Sequence, residues 1–92
     1  MSVTITSTII FENPVTIESI NARWEAQPAD IIAGCTSSTA TSLNADNTEW
    51  QFVRVWETFD QHVAYRNYCI EKSLDGELPS RVSSSLVSVV EN

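Results

Sequence analysis

Basic residues are scarce in this chain. Of 92 residues only five are Lys or Arg, against twelve Asp or Glu, for a formal charge of −7. The five (Arg23, Arg54, Arg66, Lys72 and Arg81) are scattered, whereas a surface that tracks phosphates needs clustered cations. Neither nucleic acid nor an anionic membrane is therefore expected as a partner, and the acidity reads as a solubility feature. Long apolar runs are missing too: no stretch approaches the ~18 residues of a membrane span. The opening MSVTITSTIIF has no basic start and no long apolar core, so no signal peptide is expected and the expected location is the cytoplasm. Histidine occurs once, at His62, and cysteine twice, at Cys35 and Cys69. A transition-metal site draws on several His or Cys ligands, so neither a metal nor a cofactor is expected. The cysteines read as a reduced pair of small buried hydrophobes. The length suits a single domain, residues 1–92, small enough that pairing with a second copy would help it bury surface.

What is present centres on Glu49–Thr58, EWQFVRVWET. Alternate positions give a strand two apolar faces: Trp50, Phe52 and Trp56 with Arg54 among them on one, Val53 and Val55 with Gln51 on the other. A strand apolar on both sides is normally covered on both sides. The remaining sequence offers two helical stretches, enough for about one layer. A second copy of the chain is then the natural cover for the other face.

Upstream, Val3–Phe11 alternates and is rich in β-branched residues, which predicts a strand. Glu12-Asn13-Pro14 stops it, and either Asn13 or Thr16 is suited to cap the next element. Over Thr16–Gln27 the period changes: Ile17, Ile20 and Trp24 recur on one helix face, and Pro28 closes the segment. Ile31–Leu43 reads as a long strand with a bulge or bend near Gly34. Asn44-Ala45-Asp46-Asn47 is turn chemistry, making a hairpin with Glu49–Thr58. Thr58 and Gln61 match a capping box. In the next helix, Phe59, Val63, Ile70 and Leu74 form the expected inner stripe. His62 and Arg66 lie at its edge, and Tyr65, Tyr68, Glu71 and Lys72 around the back. Asp75-Gly76 ends it, and Pro79 marks the loop into a last strand, Arg81–Val90. In that strand Val82, Leu86 and Val90 share one side, Val87 and Val89 the other. The order β-α-β-β-α-β is the split βαβ or ferredoxin-like arrangement, an α+β fold with two helices on one side of a four-stranded antiparallel sheet.

Gly34-Cys35, the hairpin, Trp56-Glu57 at the end of the third strand and His62 in the next helix resemble the antibiotic-biosynthesis-monooxygenase-like group of the dimeric α/β-barrel superfamily. The similarity covers residues 31–70, and the order of elements covers the whole chain. The resemblance implies a homodimer whose sheets pack face to face into a barrel, with a pocket between sheet and helices in each subunit. It also implies that Trp56 faces the helices, which would place Trp50, Phe52 and Arg54 there and Val53 and Val55 in the barrel; bulky aromatics suit the thicker space under helices. Members of the group include cofactor-free oxygenases on aromatic polyketides, heme-degrading oxygenases and small-molecule binders. The heme-degrading branch uses an Asn on the first strand and a His in the second half of the second helix. Residues 1–12 hold no Asn, His62 lies early in its helix, and Arg66, nearer the ligand position, does not ligate iron. Heme degradation is accordingly not expected.

Arg54 among aromatics is the most informative residue. A cation there needs an anion, whether Glu57, Asp60, another carboxylate or a ligand, to which Arg donates two hydrogen bonds. His62 is the side chain that titrates near neutrality and is the candidate base, while Trp24, Trp50 and Trp56 serve as core or stack on a planar ligand. The expected ligand set is Trp24, Trp50, Phe52, Arg54, Trp56 and Arg66. The expected catalytic set, should there be one, is His62, Arg54 and Trp56. Three functions are compatible with these residues: a binder of a small aromatic or anionic molecule, a cofactor-free monooxygenase on an electron-rich aromatic substrate, and a structural dimer with a filled core.

Overall fold

The computed structural model describes residues 2–72 and 81–92. β-Branched alternation makes Val3–Phe11 the strand β1, as expected. Helix α1 spans Ile17–Glu25, and Thr16 is its cap: the Thr16 hydroxyl accepts from the Ser19 N–H at 3.1 Å. Val15 just before the cap and Ile20 in the second turn are both buried in one cluster, a hydrophobic staple that fixes where the chain enters the helix. A one-turn helix, α2 (Ala29–Ile32), comes after Pro28. It corrects the expectation that Ile31 and Ile32 open a strand. Apolar runs this short are ambiguous between helix and strand, and the proline before them suits a helix start. Strand β2 therefore begins only at Cys35 and runs to Ser42. β3 is Glu49–Trp56, α3 is Phe59–Lys72 and β4 is Arg81–Glu91.

The four strands form one antiparallel sheet in the order β2-β3-β1-β4. This is a ferredoxin-like α+β fold, with one short helix more than expected. The hairpin turn is held by Asn44, whose side-chain oxygen accepts from the N–H groups of Thr48 and Glu49. Asn47 supplies the left-handed residue, at φ 57°. The predicted bulge appears as a register shift between Cys35 and Ser37, just past Gly34.

Register assigns the faces, because directly paired residues point the same way. Val3, Ile5, Ser7 and Ile9 stand beside Trp56, Arg54, Phe52 and Trp50, and this row forms the buried side. Thr4, Thr6 and Thr8 stand beside Val55, Val53 and Gln51 on the other face. In β4 a register shift corrects the expected alternation. Leu86 pairs with Ser7 and Val89 with Ile5, so these two share the helix face, while Val90, opposite Thr4, is on the other. A bulge adds one residue and reverses the phase of every residue beyond it.

The inner stripe of α3 also differs from expectation. Phe59 is 45% exposed, whereas Tyr65, expected at the back, packs on the cluster built around Trp56. The capping box sets this rotation. The Thr58 N–H donates to the Gln61 side-chain oxygen at 3.0 Å, and the Gln61 N–H donates to the Thr58 hydroxyl at 3.3 Å. With Gln61 turned toward β2, the positions one, four and eight residues on (His62, Tyr65 and Cys69) turn inward. The expected helix stop at Asp75-Gly76, the loop at Pro79 and the places of Ile70, Glu71, Lys72, Leu74 and Val82 lie outside the described residues and side chains.

Gly34 is buried, and a Cβ on it would overlap the Gln61 amide. Gly34→Ala should therefore displace the side chain that caps α3 and cost about 1 kcal/mol, the size of a lost cap. In a Gln61→Ala background most of that cost should vanish, a coupling a double-mutant cycle in urea reads directly. Additive losses would show that Gly34 acts through something other than the cap.

Candidate ligand site at the seam of the core

The core under the helices is in two parts. One holds Phe11, Val15, Ile20, Trp50 and Phe52; the other holds Val3, Ile5 and Trp56, with Trp24, Cys35 and Tyr65 packed against it. Arg54 is the residue of the β3 row that falls between them. Its guanidinium lies 4.2 Å from the centre of the Trp24 ring, 5.1 Å from Phe52 and 5.3 Å from Tyr65, each within cation–π range. Its Nε–H donates to the Ser38 hydroxyl at 3.1 Å. No carboxylate of the described residues pairs with it, so the expected partners Glu57 and Asp60, both exposed, do not serve.

Trp56 is fully buried, and its indole Nε1–H finds no acceptor among the described residues. Trp50 makes the contrast, its Nε1–H donating to the Asn47 carbonyl at 2.9 Å. A buried donor left unpaired costs on the order of 1–3 kcal/mol. From α3, His62 comes within 6.1 Å of the Trp56 ring and Tyr65 within 5.5 Å, measured between ring centres. Tyr65 also meets Trp24 edge-on at 5.2 Å.

These surroundings suppress charge. Burial lowers the His62 pKa from its ordinary value, and Arg66 and Arg54 lower it further. Burial pushes the Tyr65 phenol up to about 12, with Arg54 opposing and a hydrogen bond with Cys69 adding to the rise. Burial likewise raises the Cys35 thiol, against a hydrogen bond to the Ser37 carbonyl and the charge of Arg54. At neutral pH the site thus presents a fixed arginine, a neutral imidazole, a phenol and a thiol.

Ile5, Ser7, Phe52, Arg54, Trp56 and His62 enclose a cavity of ≈ 20 Å³. It exists because Ser7 is short: on the β1 row it stands between Ile5 and Ile9. The volume admits about one water-sized occupant. Of the residues expected at a site, Phe52, Arg54, Trp56 and His62 are brought together here, and Trp24 covers Arg54. Trp50 belongs to the other cluster, and Arg66 is exposed and reaches the site only through its charge. Sequence reasoning missed Ser7, Ser38 and Tyr65. Ser7 carried a signal, a small polar residue interrupting an apolar row. Among the described residues no three His, Cys, Asp or Glu side chains gather as a metal site, and no helix is long and apolar enough to cross a membrane.

No protein-family model and no curated protein matches the chain. Among solved structures it is similar to a structural-genomics protein, YJCS, at 12% identity and a TM-score of 0.56, over 96% of this chain and 98% of that one. It is also similar to Rv0793 from Mycobacterium tuberculosis, at 18% identity and a TM-score of 0.53, over 100% and 98%. At such identities the likeness supports the ferredoxin-like fold, and nothing about activity follows from it.

The depressed His62 has a consequence for stability. The unfolded chain binds the proton near pH 6.5 and the folded chain only at lower pH. The resulting stability is full above that value and is lost as the pH falls through it toward the folded pKa. The urea midpoint should be lower at pH 5.5 than at 7.5, and His62→Gln should remove part of the difference. An undiminished difference in the variant would assign the acid sensitivity to other groups.

Proposed function

We propose that the chain is a homodimeric α/β-barrel protein that binds a small aromatic or anionic molecule between its sheet and helices. The observation carrying the ligand reading is Arg54, a half-buried cation in an aromatic layer with no carboxylate partner among the described residues. It borders a cavity whose wall includes a tryptophan with an unused donor. An anion there would accept from the guanidinium, which presents donors in a fork suited to carboxylates. A second reading, a structural dimer with a filled core, is favoured by the cavity's size. The oxygenase reading has in its favour a neutral His62 able to accept a proton, but ≈ 20 Å³ leaves no room for a planar polycyclic substrate beside it. The dimer reading rests on the second sheet face, where Thr4, Thr6, Thr8, Val53 and Val55 lie opposite the row that packs under the helices. Face-to-face packing of two such sheets is a standard cover for such a surface.

Arg54→Met keeps an unbranched apolar stem of similar reach and removes the charge. It should weaken binding of benzoate, measured by titration calorimetry, by at least about tenfold, the worth of one good charge-assisted contact. Equal affinity in the variant would remove Arg54 from the site, and absence of binding to the unaltered protein would favour the filled core. For the dimer, Val53→Glu places a carboxylate at the centre of the second face. It should convert a dimer into a monomer by native mass spectrometry and sedimentation. A monomer in the unaltered protein at micromolar concentration would reject the barrel.

A further inference from the structure

We propose that a compact anion entering the cavity between Arg54 and Trp56 is taken up together with a proton on His62, so that acidification loads the pocket. The inference rests on the anion-binding reading above and adds its regulation and the size of the group recognised.

The size follows from the walls. A volume of ≈ 20 Å³ accepts about one oxygen of a head group such as a carboxylate and leaves the rest of the ligand outside the rim. The cation is already in place: Arg54 lines the cavity, with its Nε–H held by Ser38, and the buried Trp56 forms another part of the wall.

The proton follows from the charges around His62. β3 brings Arg54, and α3 brings Arg66 beside His62 on its own helix. Glu57 and Asp60, at the β3 end and the α3 start, are exposed, and neither acts appreciably on the imidazole. On the face turned to His62, β1 contributes Val3, Ile5, Ser7 and Ile9, none of them titratable. From β2, Cys35 stays a thiol. Tyr65 on α3 stays a phenol, and Arg23 of α1 acts on Tyr65 rather than on His62. Glu91 on the far edge strand, paired with Val3, is exposed. Among the described residues His62 therefore faces two cations and no buried anion, which keeps it neutral when the cavity is empty. A bound anion offsets both arginines and supplies an acceptor for an imidazolium N–H. Linkage is reciprocal: whatever factor the anion adds to proton affinity, the proton adds to anion affinity.

The test is calorimetric titration of the whole protein with sodium formate, the smallest carboxylate, at pH 7.5, 6.5 and 5.5 and constant ionic strength. Running it in two buffers of different ionisation enthalpy counts the protons taken up. Affinity should rise by roughly 3- to 10-fold from pH 7.5 to 5.5, within the limit of tenfold per pH unit for one linked proton, with net proton uptake near pH 6.5. His62→Gln should bind formate with an affinity that no longer changes with pH. Formate binding without proton uptake overturns the coupling and leaves the anion site standing. A pH dependence that survives in His62→Gln overturns the assignment to this histidine. No binding at any pH overturns both the coupling and the anion reading beneath it. The proton count uses the unaltered protein, so the coupling is decided even if the variant does not fold.

Discussion

The constraint on which the rest of this structure turns is the placement of a guanidinium in the middle of an aromatic layer. β3 delivers Trp50, Phe52, Arg54 and Trp56 to one face by simple alternation, so any helix layer over the sheet must accommodate a cation as well as three large rings. The chain does so by splitting the core. Trp50 and Phe52 pack with the staple residues of α1 on one side, and Trp56 packs with Trp24 and Tyr65 on the other. Arg54 lies flat between them, over ring faces instead of against a carboxylate. Cation–π contact of this kind is worth on the order of 0.5–2 kcal/mol, less than the desolvation cost of a fully buried charge. That balance explains why the residue is only half-buried and why the layer is not closed over it.

This also bears on how far the sequence could be read. Strands β1 and β3, helix α1 and the capping box of α3 followed from period and cap chemistry, because each is a local pattern with one dominant physical cause. Ile31-Ile32 was misread because two apolar residues carry no period. The β4 faces were misread because a bulge is invisible to alternation. Tyr65 was misplaced because the rotation of α3 is set by Gln61 reaching Gly34, a contact between residues 27 apart in sequence. At the site, strand parity grouped Phe52, Arg54 and Trp56, the family resemblance and the bulk of the aromatics placed that group under the helices, and His62 stood out by residue type. Ser38 was not legible, since its role depends on the register of β2 after its own bulge. Arg66 was expected as a ligand contact and instead shapes the site from outside, through its field on His62.

The two sheet faces divide labour. The helix side carries the large aromatics and the cavity; the other side carries threonine and valine at neighbouring positions. A face of threonines and valines is neither strongly hydrated nor able to form a thick core, which suits close, flat packing against a similar surface. The exposed apolar residues of β4, Leu86, Val87, Val89 and Val90, fall on both faces of an edge strand. An apolar edge strand is a place where chains can pair in the plane of the sheet, a direction distinct from packing on either face.

The two buried tryptophans of β3 show how the site differs from ordinary core. Trp50 and Trp56 are of equal size, similarly buried and on the same face of the same strand. The Trp50 indole N–H is closed off by the hairpin carbonyl at Asn47, which ties the turn to the core and leaves nothing to bind. The Trp56 N–H has no such acceptor, although a carbonyl or hydroxyl there would repay on the order of 1–3 kcal/mol. Buried polar groups are seldom left unpaired in native structures, and this one belongs to a residue that lines the same small cavity as a cation without a carboxylate partner among the described residues. Arg54 brings a cation to this cavity, while Ser7 and the neutral His62 bring groups that can accept as well as donate, in a chain with an excess of seven negative charges. An unspent donor beside a half-buried cation separates the Arg54–Trp56 seam from the closed packing around Trp50.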